Sequence, residues 1–317
     1  MKWPSRMVAL LLMLIAVAPL GASAATAQDE RLQVVATTTQ IADLVSVVGG
    51  DTVAVTGIMQ PGVDPHLYRA SESDLTAMMA ADIIFYNGLN LEGQLSDVFV
   101  QLASSKPVIS LGARVPEDLR LSVPDFPDEY DPHIWFDPTL WMIATQAVAD
   151  ALAEADGDNA DTYQANAAAY MVELETLDAE TETALGAIPE GQRVLVTAHD
   201  AFGYFGNRYG FEVIGIQGLS TETEAGIADM QRVAEIIIDS NVPAIFVEST
   251  ISPATIEAVQ AAVADQGGTV VIGGELFSDA MGDAGTPEGT YLGMYQHNVN
   301  AIVTSYVGDD ITATPAS

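Results

Sequence analysis

Short β-rich apolar runs alternate with helix-period stretches along almost the whole sequence, and this alternation leaves few folds open. Strands separated by helices cannot close as tight hairpins; each has to cross back over a helix, which builds parallel sheets with helices on their faces. Strands are read from Leu32 to Ala36, Val53 to Met59, Ile83 to Tyr86 and Pro107 to Leu111, then at Val194 to Thr197, Val213 to Ile216, Ala244 to Val247 and Thr269 to Ile272. Between the first two, Ile41, Leu44, Val45 and Val48 share one helix face that Gly49-Gly50 ends, and Ser71 with Asp74 forms a capping box ahead of Leu75, Met78 and Met79. An irregular acidic loop is expected from Gly112 to Asp137, and a helix from Pro138 to Ala155.

From Asn159 to Ala187 the stripe Tyr163, Ala167, Tyr170, Leu174, Leu177, Ala184 and Ile188 keeps a helical period up to Pro189. At about 1.5 Å per residue such a helix is longer than one ordinary core requires, so it reads as a rigid connector. The expected fold is α/β: two β/α lobes with parallel-type sheets joined by one long backbone helix. By residue, 1–27 is a signal peptide, 28–157 the N-terminal lobe, 158–188 the linking helix, 189–307 the C-terminal lobe and 308–317 a disordered tail.

The leader reading rests on Lys2 and Arg6 ahead of the apolar run from Met7 to Ala18, followed by the small residues Ala22-Ser23-Ala24-Ala25-Thr26-Ala27. That apolar run falls short of the roughly 20 residues a membrane span needs. Cleavage removes Lys2 and Arg6 and leaves 8 basic against 44 acidic side chains, a net charge of −36. Such a field repels phosphate backbones and anionic lipids, so nucleic acid is not an expected partner, whereas divalent cations are natural ligands. With 49% hydrophobic residues the chain is no disordered acidic segment. Cysteine is absent, which excludes disulfides, thiolate metal sites, a Cys nucleophile and a lipidated Cys within these residues.

In parallel sheets, ligands bind outside the carboxyl ends of the strands. Three of the four histidines fall there: His66 in Asp64-Pro65-His66, His133 in Asp131-Pro132-His133, and His199 at the end of a strand. The last strand leads through Gly273-Gly274, read as punctuation at its end, to Asp279. Two side chains from each lobe thus point toward one cleft, and imidazole and carboxylate are ordinary ligands for Zn²⁺ and related ions. Spacing alone does not separate such a site from three unrelated loop histidines. Asp64, Asp131, Asp137, Asp200 and Glu248 are candidate acceptors for ring N–H groups, although each also reads as a cap or turn acid. His297 falls in a helical stretch and reads as a surface or core residue. No P-loop, dinucleotide fingerprint, nucleophile elbow or His-Glu-x-x-His helix is present.

Taken with their surroundings, these residues resemble the metal-binding, cluster A-I solute-binding proteins of ABC importers. The resemblance runs from Val34 to about Val307 and is carried by Pro61 to Tyr68, Asp131 to Asp137, Val194 to Phe205, and Gly273 to Asp283 with Gly289-Thr290-Tyr291. It implies one ion in an interlobe cleft, with the ligand positions on His66, His133, His199 and Asp279. Manganese-dedicated relatives tend to carry glutamate where His199 stands; zinc-dedicated ones carry a His-rich acidic loop, and the matching stretch here, 117–131, is acidic without histidine. The resemblance implies a monomeric extracytoplasmic receptor, periplasmic or at the outer face of the membrane and not a lipoprotein. The resemblance places the chain between the zinc and manganese subgroups, and three imidazoles to one carboxylate make Zn²⁺ the expected cargo ahead of Mn²⁺, bound with no catalytic cofactor and handed to an ABC permease driven by a separate ATPase. A secreted zinc hydrolase would need an open coordination position and a general base that no motif supplies here. A receptor for a siderophore-like chelate would want aromatic or basic walls rather than three imidazoles.

Overall fold

The computed structural model describes residues 31–123 and 126–308. The expected leader, and the expected tail apart from Gly308, lie outside the described residues. The first half runs β1 (Leu32–Ala36), α1 (Thr39–Gly49), β2 (Val53–Gly57), α2 (Glu72–Ala80), β3 (Ile83–Tyr86), α3 (Ser96–Leu102) and β4 (Val108–Ser110). Its sheet is wholly parallel, in the order β2-β1-β3-β4. The second half runs β7 (Val194–His199), α6 (Gly203–Tyr209), β8 (Glu212–Gln217), α7 (Ile227–Asp239), β9 (Ala244–Glu248), α8 (Ala254–Asp265), β10 (Val271–Leu276) and α9 (Tyr291–Val307), with β7 to β10 forming a second parallel sheet ordered β10-β9-β7-β8. In both sheets the first strand lies inside and the chain winds outward to either side, the arrangement that opens a crevice at the carboxyl ends.

Local chemistry explains the boundaries. Ser71 and Asp74 close the expected capping box at the start of α2. Asp137 caps α4 (Pro138–Ala155) through Thr139 N–H at 2.8 Å, with Pro138 at the first helical position, where its missing N–H costs nothing. The long helix is α5 (Ala160–Leu185), 26 residues, or about 39 Å. A 3₁₀ turn at Gly157–Asn159 precedes it. Its buried stripe is Tyr163, Ala167, Tyr170, Leu174, Leu177, Thr181 and Leu185; Ala184, expected on that stripe, is only partly buried.

One hydrophobic core runs from Val34 and Leu44 through Trp141, Tyr163 and Leu174 to Leu195, Phe205 and Tyr295, so α5 and α4 are sealed to both lobes by the same buried surface. Smaller cores lie under α2 and α3, and under α7 and α8. Cutting Leu174, fully buried, to Ala would cost about 2–5 kcal/mol.

Two further details differ from the sequence reading. The loop from Gly112 to Asp137 is not wholly irregular: β5 (Ser122–Val123) and β6 (Phe126–Tyr130) pair antiparallel within it. Gly273-Gly274 is not at a strand end but inside β10, at a break in its register with β9. A Cβ on Gly273 would sit 2.6 Å from the Phe246 ring and 2.5 Å from Ser305 Oγ, and Gly274 has φ of +131°, so both positions require glycine. Beyond this bulge Glu275 and Leu276 pair with β9 again.

Candidate metal centre

Each half delivers two side chains to the crevice. His66 follows β2 and His133 follows β4, the two edge strands of the first sheet, and long loops bring both inward. His199 is the last residue of β7, and Asp279 follows β10. These four, each 4% exposed or less, present ligand atoms that all lie within 4.8 Å of one another. Asp279 is central: Oδ2 lies 3.5 Å from His66 Nε2 and 3.3 Å from His199 Nε2, and Oδ1 lies 3.4 Å from His133 Nε2. Those separations match the edge of a tetrahedron around an ion bound at about 2.1 Å, roughly 3.4 Å.

None of these five atoms has a hydrogen-bond partner. A buried polar atom left unpaired costs about 1–3 kcal/mol, so five converging on one point mark a cavity built for something that binds them together.

The opposite ring edges are held. Asp131 Oδ1 accepts from His133 Nδ1 at 2.8 Å and from the His133 backbone N–H at 2.9 Å. Glu248, at the end of β9 beside β7, accepts His199 Nδ1 at 2.5 Å with one oxygen and His199 N–H at 2.9 Å with the other. A hydrogen on Nδ1 leaves the Nε2 lone pair facing the centre, the state a metal ligand needs. Asp64 holds the His66 backbone N–H at 2.9 Å and accepts Thr221 Oγ1 from the other lobe at 2.5 Å, without touching the ring. Asp137 serves as a helix cap, and among the described residues Asp200 makes no hydrogen bond to an imidazole. His297 is not one of the converging residues; its Nε2 meets Glu275 O at 3.0 Å and its ring packs on Phe277.

The electrostatics divide the imidazoles. Burial pushes His66 down to about 3, against the attraction of Asp279. Burial also disfavours charge on His199, but Glu248 and Asp279 overcome it and raise that ring well above its ordinary value. Burial likewise opposes ionising Asp279, yet the three imidazoles, His199 foremost, hold its carboxyl well below the usual range. Burial, chiefly, raises Asp64 and Asp200.

Sequence reasoning passed over Gln40. It is fully buried in the first turn of α1 and donates from Nε2 to Ser278 O, next to Asp279, at 3.2 Å. The available signal was a polar run, Thr37 to Gln40, directly after the first strand.

Residues 34–305 match the family described as zinc-uptake complex component A, periplasmic. The chain is 44% identical over 280 residues to the manganese-binding lipoprotein MntA of Bacillus subtilis, covering 88% of this chain and 91% of that protein. It is 46% identical over 279 residues to the zinc-binding protein TroA of Treponema pallidum, covering 88% and 90%. The solved structure of that periplasmic zinc-binding protein superposes with a TM-score of 0.85 at 45% identity, covering 87% of this chain and 99% of the other.

Proposed function

The chain belongs to the periplasmic zinc-uptake component A family of metal-binding solute-binding proteins, and on that premise we propose that it is an extracytoplasmic receptor that captures a divalent transition metal and delivers it to an ABC importer. His66, His133, His199 and Asp279 are the proposed ligands. The observation that carries this reading is the set of five buried, unpartnered atoms they contribute. Three nitrogens favour Zn²⁺, because Mn²⁺ prefers oxygen ligands and stands at the weak end of the divalent series. Both oxygens of Asp279 facing the centre leave room for a fifth bond, which supports Mn²⁺ as a second cargo. The role is thermodynamic: the side chains replace the ion's water shell and give the ion up when the lobes are disturbed. We propose no catalysis, a monomer in solution, cleavage of the leader near Ala24 or Ala27, lobes at 28–157 and 189–307, a linking helix at 158–188, and partnership with a separate permease and ATPase.

Elemental analysis of the mature protein purified without chelators tests the proposal. One equivalent of zinc, displaced by manganese only at large excess, is expected. Protein free of transition metal that also fails to take up added zinc or manganese overturns it.

A further inference from the structure

We infer that Gln40 and Trp135, both supplied by the N-terminal half, are positioning residues that aim Asp279, a residue of the C-terminal half, at the metal centre. The inference rests on the four-residue site proposed above. Asp279 lies three residues past the end of β10, on the connection to α9, and its chain neighbours are gripped from two sides. Within its own half, Asn298 takes Phe277 N–H at 2.9 Å and donates to Phe277 O at 2.8 Å, and Ser249 Oγ donates to Ala280 O at 3.2 Å. From the other half come three further bonds. Trp135 Nε1 donates to Ser278 O at 3.0 Å, Gln40 Nε2 donates to the same oxygen at 3.2 Å, and Thr39 Oγ1 accepts Met281 N–H at 2.8 Å.

Two buried donors from elements 95 positions apart in the numbering, α1 and the 3₁₀ turn Ile134–Phe136, therefore fill both lone pairs of the carbonyl that immediately precedes Asp279. That peptide plane sets where the Asp279 side chain begins. Trp135 is itself fixed: it is 1% exposed, its carbonyl accepts Tyr291 OH at 2.7 Å, and its indole meets the His133 ring edge-on with centroids 5.3 Å apart. One side chain thus meets a proposed ligand's ring on one side and, on the other, the Ser278 carbonyl that precedes Asp279. A carboxylate that has to face three imidazoles with two oxygens at 3.3–3.5 Å tolerates little rotation of its backbone. Losing a group that orients a metal ligand typically lowers affinity about 10- to 100-fold.

The test is a double-mutant cycle on the full mature chain, with Zn²⁺ and Co²⁺ affinities read by competition with a chromophoric chelator. Gln40→Met keeps the volume and removes the donor; Trp135→Phe keeps a ring against His133 and removes the N–H. Each is expected to weaken binding about 10- to 100-fold. Each should have little further effect when Asp279 is already Ala, and bound Co²⁺ in Trp135→Phe should show an absorption spectrum shifted toward that of Asp279→Ala. Losses that persist undiminished in the Asp279→Ala background, or two single variants with wild-type affinity, overturn the inference. Asp279→Ala binding as tightly as wild type instead overturns the four-residue site. If metal-free melting shows that Trp135→Phe is poorly folded, the series at position 40 decides. Affinity should fall in the order Gln, Met, Glu, because a carboxylate there faces the Ser278 carbonyl; any other order counts against the inference.

Discussion

The tripeptide Asp-Pro-His occurs twice, at Asp64-Pro65-His66 and Asp131-Pro132-His133, and the two copies reach the same centre by different means. In both, Asp Oδ1 accepts the backbone N–H of the histidine at 2.9 Å, a local turn that proline rigidifies. In the second copy the same oxygen also takes the ring Nδ1, whereas the first spends its other oxygen on Thr221 across the cleft. The shared local code makes the turn, and only the second copy orients its own imidazole. His199 obtains the same service from Glu248 on the neighbouring strand. Two rings are therefore locked from behind, and the third is placed by its turn and its burial.

Removing a ring from either turn has the largest expected effect. Zinc at a thousandfold excess over its dissociation constant should add ~4 kcal/mol to the wild type, a shift of roughly 7 °C in melting temperature for a chain of this size. His66→Ala and His133→Ala should each abolish most of that shift in calorimetry, and a ring whose removal leaves it intact does not belong to the site. Removing the two aspartates separates the turns. Both Asp64→Ala and Asp131→Ala lose the backbone bond, but only the latter frees a ring, so Asp131→Ala should lose about 10- to 100-fold in zinc affinity. Asp64→Ala also loses the Thr221 bond but leaves the ring partners of His133 and His199 in place, so it should stay within about tenfold. Equal losses would erase the distinction.

The smallest expected effect is on pH dependence. In the metal-free protein His199 is drawn toward the protonated form by Glu248 and Asp279, whereas burial keeps His66 neutral. An ion must displace the His199 proton, so affinity falls as pH drops, by up to about tenfold per unit for one proton. Glu248→Gln removes the main group that raises His199, and its affinity profile between about pH 8 and about pH 6 should flatten relative to wild type. Identical slopes for the two proteins would mean that His199 does not carry that proton.

What could be read from the chain followed from periodicity and position. Alternating strands and helices dictate parallel sheets, and the carboxyl-end rule puts His66, His133 and His199 at the binding edge, though position alone does not tell a metal site from three unrelated loop histidines. What could not be read depended on contacts remote in sequence. Glu248 looks like any turn acid until β9 is known to lie beside β7. The β5–β6 ribbon is two short strands with a register break, too brief for an alternating pattern to stand out. Gly273-Gly274 looks like a strand terminus because a bulge and an end use the same residue, and only pairing on both sides tells them apart. Gln40 sits in a helix whose apolar face was legible, and its burial beside Ile41 gave no hint that its partner lay on the far side of the chain.

The burial of the four ligands also bears on time rather than affinity. His66 is 4% exposed and the other three 1% or less, so an ion held by the four proposed ligands would be screened from solvent by the side chains themselves. On the proposed function, release would then require the walls of the site to part.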